Sequence, residues 1–562
     1  MTVYWLVWDG AAHWIVDRLV TQGALPHTAR LRARGLWGAA RPPAPNCQTP
    51  PSLATLFTGT WPQQHQVTGF QIPGAAGVGA ADTAFAPGRC AAPTVWQTAA
   101  RAGLRTATVH VPWTFAADGQ ADTALDAAVE AYSRRHDRHA LIRIEGRRQH
   151  ADVGPFRLTV DAEPYGAGRR ELTEVSCGGR SVTLHARDAR WRPLRLGNDS
   201  GIWLRTLRVG GEWLLLRTGA WRLRAGGRDT DLAGALARLP VFAGESLGSV
   251  YRAGELGPRL VDGGDGTAED LLLSSTARVH ASFAAAADLV LRRHSADLVI
   301  VYLPTTDDLG HDLAGWCDPH SAAHRPDVAG QVWQRIARGY GLADRLLGEV
   351  MRRADADDTV LLTADHGIAG TAWTVHPNEA LIAAGLAARA ADGGLDPHRS
   401  AVVYHPANNG SLWVNHQDLP GGYVHRAAAA ALLDKAEAAL RTLTDPRRGR
   451  PVTAGFRTSP GADPETVRHI LFDPDCLPAA TLRPDGRALA PSPKPGGHVT
   501  NSGDPRLHAV FAAAGPGLEP GTELGTVDNT EPARIALHQL ERTARATRPR
   551  PETTPRNACT AI

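Results

Sequence analysis

"ADLVIVYLPTTDDLGH", residues 296–311, is the stretch whose reading decides the fold. The run from Leu298 to Leu303 is short, apolar and rich in β-branched residues, which marks a strand buried on both faces. Such strands belong to parallel sheets covered by helices. The chain then passes through a short turn into Asp307. Two other runs end in the same way: "VYWLVW" (3–8) leads into Asp9, and "TVLLTA" (359–364) leads into Asp365. In an open parallel sheet the carboxyl ends of the strands line one edge, where ligands bind. Three carboxylates therefore converge on one place.

Outward from this stretch, residues 1–113 alternate strand and helix, and the same alternation resumes near 268. There a long helix (268–294) precedes the strand, a second (332–354) follows it, another is predicted at about 426–442, and a Pro/Gly-rich stretch runs to 497. "LHAVFAAAG" (507–515) closes the series as a strand. The pattern predicts an α/β fold with a mostly parallel central sheet flanked by helices. Between about 138 and 226 the period changes to two, in segments such as "FRLTVDA", "SVTLHAR" and "EWLLLRTGAWRLRAG". This predicts an inserted antiparallel β-rich region, rich in Arg and Trp. The expected division is a catalytic core in two parts, 1–125 and 266–542, a β-rich insertion at 126–265 serving as scaffold, lid or cap, and a disordered tail at 543–562.

The chain carries 60 basic and 57 acidic residues, so charge gives no reason to expect a nucleic-acid polymer or an anionic membrane as partner. Six cysteines lie scattered without a C-x-x-C pair, which argues against a disulfide framework and against a thiolate zinc site. No basic leader precedes the first strand, and no run reaches the ~18 apolar residues of a membrane span. A cytoplasmic protein is expected.

Clustered carboxylates repel one another unless a cation is shared or protons are taken up. Histidines stand beside the acids: His311 four residues after Asp307, His366 directly after Asp365, and His498 in the glycine-rich "PGGHVTNSG" (495–503). Taken singly, an Asp at a strand end is ordinarily a helix cap or turn residue, and an i, i+4 Asp/His pair is a solvated helix face. The joint occurrence at strand ends points to metal. Mixed Asp/His donors without thiolate suit zinc, with manganese or iron accepted by the same set. Asp308 offers an alternative to its neighbour.

"NCQTPPSLATLFTG" (46–59) supplies a hydroxyl. Thr49 stands at the head of a helix-like run, and Pro50 and Pro51 stiffen the turn and remove two backbone donors. An alcohol is a weak nucleophile at neutral pH and needs a metal or base beside it.

These motifs resemble the alkaline phosphatase superfamily, and within it the type I phosphodiesterase/nucleotide pyrophosphatase branch. The pattern reads here as Asp9, then Thr49-Pro50-Pro51-Ser52 with Gly59, then Asp307-Asp308-Leu309-Gly310-His311, then Asp365-His366-Gly367, and His498, over about 1–115 and 270–515. "GTWPQQHQVTG" (59–69) follows the family's continuation, with Gln66 at a usual glycine. The resemblance implies two divalent ions, one held by Asp307, His311 and His498 and the other by Asp9, Asp365 and His366. Thr49 would bridge to the second as nucleophile and form a phosphothreonine intermediate. The D-x-x-G-H spacing favours Asp307 over Asp308. Ser52 stands where the branch commonly has Asn, and would give a phosphate oxygen one weaker bond. Thr49 and Leu53 do not fit the sulfatase pattern.

The function expected is hydrolysis of a small phosphoester or nucleotide-like substrate at a diester or pyrophosphate bond. The same superfamily also offers phosphomonoesterase, phosphonate hydrolase and phosphomutase activities, and a non-catalytic, metal-stabilised binding protein is the alternative of another class.

Overall fold

The computed structural model describes residues 1–131, 135–162, 172–185, 188–197, 200–458 and 462–547. Its centre is a nine-stranded sheet. The strands are β1 (Val3–Trp8), β2 (Leu36–Arg41), β3 (Thr106–Val109), β4 (Ala127–Glu130), β5 (Arg224–Gly226), β6 (Leu298–Leu303), β7 (Thr359–Thr363), β8 (Ala509–Ala514) and β9 (Thr522–Asp528). They lie in the order β5-β4-β3-β6-β1-β7-β8-β2-β9. Every residue of β6, β7 and β8 is buried, as uniformly apolar strands require.

Register brings the acid-bearing ends together. β1 is flanked by β6 and β7, both parallel, with Trp8 opposite Leu303 and Val7 opposite Thr363. The residues following all three strands therefore emerge side by side. β8 runs against β7 and against β2. The sheet is mostly parallel, as expected, and its reversed strand matters for the site: only because β8 is reversed does the loop before it, carrying His498, open at the same edge. β2 ends there too, since Ala40 pairs with Ala509 at the start of β8.

Two long helices pack on the sheet. Thr267–Arg293 carries Glu269 and Asp270 in its first turn and Arg292 and Arg293 in its last, and Ala329–Arg353 ends on Arg352 and Arg353, charges that oppose each helix dipole. The C-terminal helix, Glu531–Thr547, extends into the span expected as a disordered tail, and the rest of that span, 548–562, lies outside the described residues.

The inserted region gives its first and last strands, β4 and β5, to the edge of the central sheet. Between them lie two antiparallel sheets around a core of their own that includes Val160, Val175, Ile202, Leu204 and Leu215. A further four-stranded antiparallel sheet, which the sequence pattern does not announce, lies between residues 402 and 472. Its strands are Val402–Tyr404, Ser411–Val414, Thr453–Arg457 and Val467–Phe472, and the helix Arg426–Arg441 packs on it. We call this unit the cap. Among the described residues no helix is long and apolar enough to cross a membrane.

Candidate active site

The residues singled out in the sequence meet at the edge shared by β1, β6, β7 and the start of β8. Thr49 is the first residue of a helix, Thr49–Thr58, and is buried. Its Oγ1 lies 3.2 Å from His366 Nε2. The same nitrogen is 3.2 Å from Asp365 Oδ2 and 3.4 Å from Asp9 Oδ1. Asp307 joins the other two imidazoles, with Oδ2 3.4 Å from His311 Nε2 and Oδ1 3.3 Å from His498 Nε2. His366 and His498 stack with ring centroids 3.5 Å apart, so both halves form one cluster. Asp307, and not Asp308, makes these contacts.

The imidazoles share one arrangement. His366 Nδ1 faces Gly367 O at 2.9 Å, His311 Nδ1 faces Gly496 O at 2.8 Å, and His498 Nδ1 faces Cys47 O at 3.3 Å. A carbonyl only accepts, so each Nδ1 carries the proton and each Nε2 turns a lone pair inward. Backbone partners of this kind orient metal-binding histidines.

The carboxylates fit a cation. Asp9 Oδ1, Asp307 Oδ1 and Asp365 Oδ2 are buried without a hydrogen-bond donor among the described residues, although buried oxygens normally have one. Two sets could hold an ion: Asp307, His311 and His498; and Asp9, Asp307 and His366, with ligand atoms within 4.8 Å of one another in each. Asp365 lies outside the second set but touches its histidine. Burial, then Asp365 and Asp307, push the Asp9 carboxyl well above the usual range. Burial raises Asp308 likewise, reinforced by Asp307. Burial also pulls His311 down to about 3, so it is a neutral donor at neutral pH. For Asp307 burial acts upward, but His311 and His498 outweigh it and hold the carboxyl below its ordinary value. For His366 burial acts downward and Asp365 outweighs it, raising the affinity of that nitrogen for positive charge.

Local backbone explains why the cluster can close. Gly10, directly after Asp9, has φ +62°, and a Cβ there would stand 2.7 Å from Asp307 Oδ1. Its N–H donates to Asp365 Oδ1 at 3.1 Å. The helix carrying Asp307 and His311 widens into a π turn over Gly310–Ala314, a deformation common at functional sites. Pro50 and Pro51 lack N–H groups and the Ser52 N–H is bonded to Gln48 O at 3.1 Å. The Thr49 N–H and the Ser52 hydroxyl are the donors left in that turn; Ser52 Oγ is buried and unpartnered among the described residues.

Three participants were not read from the sequence. Tyr302 donates its hydroxyl to Asp9 Oδ2, Asn529 Nδ2 donates to Asp365 O at 2.6 Å, and Lys494 is drawn down by burial and Arg252 beside Asp307 and Asp312. The first two stand inside a strand and just after one, with no motif around them. Lys494 could have been suspected, because it is one of two lysines in an arginine-dominated chain.

A mostly parallel sheet with acids and imidazoles gathered where a threonine opens a helix is the architecture of the alkaline phosphatase superfamily. The sequence model of one family, "Type I phosphodiesterase / nucleotide pyrophosphatase", matches residues 3–166 and 251–453, well over half of the chain. The chain belongs to this metal-dependent family. The match takes in Asp9, Thr49, Asp307, His311, Asp365 and His366, reaches into the β-rich insertion, and ends before His498. No curated protein sequence matches. Among solved structures, human ectonucleotide pyrophosphatase/phosphodiesterase 5 is similar at 11% identity and a TM-score of 0.47, covering 96% of this chain and 95% of that one. Phosphonoacetate hydrolase from Sinorhizobium meliloti 1021, in complex with phosphonoacetate, is similar at 14% identity and a TM-score of 0.49, covering 96% of each chain.

Proposed function

We propose that the chain hydrolyses small phosphodiesters or pyrophosphates, including nucleotide-like ones, through Thr49. The observation that carries this reading is the buried Thr49 hydroxyl at 3.2 Å from His366 Nε2, inside a ring of carboxylate oxygens that have no donor among the described residues. Asp307, His311 and His498 would hold one divalent ion, and Asp9, Asp365, His366 and Thr49 a second; zinc suits the donors best, and manganese or iron fits the same set. When bound, such ions lower the pKa of a hydroxyl or water and neutralise phosphate charge.

The protein's own groups do the remainder. The helix start and its two prolines fix the direction of the Thr49 hydroxyl. Thr49 Oγ1 attacks phosphorus in line and the alcohol or phosphate leaves opposite it. Water then cleaves the Thr49–O–P bond, returning the threonine. Two inversions give retention at phosphorus. The Thr49 N–H and the Ser52 hydroxyl are placed to hold a non-bridging oxygen, and such positioning supplies most of the catalysis in phosphoryl transfer. We assign the catalytic core to residues 1–125 and 266–542 and give the insertion at 126–265 the part of a lid or scaffold.

Thr49→Ala should lower turnover of bis-4-nitrophenyl phosphate by about a thousandfold or more, while elemental analysis still finds two divalent ions per chain. Unchanged turnover would reject Thr49 as nucleophile, and one ion or none would reject the paired site.

A further inference from the structure

A cavity of about 650 Å³ lies between the segment before and after Thr49 and the cap. Asn46 and Pro51, on either side of Thr49 in the chain, form one wall, and Trp413, Thr466 and His469 belong to the other. The walls are tied to the site. The Cys47 N–H donates to Val499 O at 2.7 Å, next to His498, and Gly410 in the cap packs against both His469 and Thr500.

The lining mixes apolar side chains such as Pro51, Pro62 and Val467 with polar ones, and among the described residues it carries no spare charge. Arg426 is occupied by Asp418 at 3.0 Å and by Asp463. Against this, hydrogen-bonding capacity is left over. Gln63, Gln66, Thr68 and Thr466 line the cavity without a side-chain bond to another described residue. His469 is 3% exposed, and neither of its ring nitrogens has a partner among the described residues. Burial pulls this imidazole down to about 3, so it is neutral, with one donor and one acceptor. Trp413 gives its Nε1–H to Ser411 Oγ at 3.0 Å, which leaves the ring face as its offering.

Amides, hydroxyls and a neutral imidazole donate and accept in equal measure, which complements groups that do both, namely alcohols. The paired charges of the lining disfavour a second anionic group, and a single indole face with no opposing aromatic carbon ring among the described lining residues suits the C–H face of a sugar better than an intercalated base. We propose that this cavity binds a neutral, polyhydroxylated substituent, a sugar or polyol, esterified to the substrate's phosphate. This deepens the diester reading above and rests on it.

The test compares 4-nitrophenyl phosphodiesters whose second group is methyl, glycerol or phenyl. The wild-type protein should show kcat/KM at least about tenfold higher for the glycerol ester than for the methyl ester, the discrimination that about one net hydrogen bond supplies. His469→Leu and Thr466→Val should each erase most of that ratio while methyl-ester turnover stays within about twofold of wild type. Equal values for glycerol and methyl esters, a phenyl ester preferred over glycerol, or a ratio untouched by both variants would overturn the proposal. Absence of methyl-ester turnover in the wild type would instead overturn the diester reading. Calorimetric titration of the wild type and both variants with the glycerol and methyl esters would then decide the cavity separately, with selective glycerol-ester binding lost in the variants supporting it and equal binding refuting it.

Discussion

Asp9→Asn should change the protein's stability in opposite directions with and without divalent metal. Asp9 is 2% exposed, receives the Tyr302 hydroxyl on Oδ2, and has no donor on Oδ1 among the described residues. Its ligand oxygen lies within 4.8 Å of that of Asp307. At an effective dielectric of about 20, two full charges at that separation repel by about 3.5 kcal/mol. Proton uptake by the raised Asp9 carboxyl relieves part of this, so removing the charge should stabilise the metal-free protein by about 1–2 kcal/mol. With metal at about a thousand times its Kd, the wild type gains about 4 kcal/mol. If losing the carboxylate weakens binding by a hundredfold to a thousandfold, the variant keeps only about 0.4–1.4 kcal/mol of that gain and ends about 1–3 kcal/mol below wild type. Urea unfolding followed by tryptophan fluorescence, in chelator and in excess zinc, measures both. A shift of the same sign in the two conditions would refute the reasoning, because it would make Asp9 a structural acid whose charge the fold needs irrespective of a cation.

Two further outcomes follow from buried groups. His110 is held at about 3 by burial between Phe242 and Phe283, below its value in the unfolded chain. The stability it contributes is therefore complete above the unfolded pKa and is lost as pH falls toward the folded one. Lowering pH from about 7.5 to about 5 should remove about 2 kcal/mol through this residue alone. His110→Asn, chosen because Asn tolerates φ +63°, should show a correspondingly smaller fall in urea midpoint between those pH values; an equal fall would exclude His110 as the source. Gly496→Ala places a Cβ 2.1 Å from Gly310 O and 3.3 Å from His311 Cα. It should destabilise the fold by about 1–3 kcal/mol and weaken metal binding by displacing His311, and zinc affinity equal to wild type in a competition titration would show that the π turn absorbs the clash without moving the ligand.

The acids were legible because the fold makes them so. β1, β6 and β7 are short, apolar but for Thr359 and Thr363 at the ends of β7, and followed at once or within a turn by Asp, and parallel pairing around β1 then forces Asp9, Asp307 and Asp365 together. The β-rich insertion showed itself by its period of two, since strands such as Phe156–Ala162 alternate buried and open positions. The cap did not. Its strand Val467–Phe472 is buried at nearly every position and so lacks alternation, and turns rich in Pro, Gly and Asn separate its members. Nor could the sequence show the direction of β8, because an apolar run reads the same in either sense; yet that direction decides whether His498 reaches the acids at all. Tyr302 and Asn529 stayed hidden for a related reason: a tyrosine inside an apolar strand and an asparagine after an edge strand have common structural uses, and only the three-dimensional register aims them at Asp9 and Asp365. Motifs thus betray the groups that must bear charge at strand ends. The groups that orient them, and the cavity wall contributed by His469 and Trp413, follow from long-range pairing that no local pattern encodes.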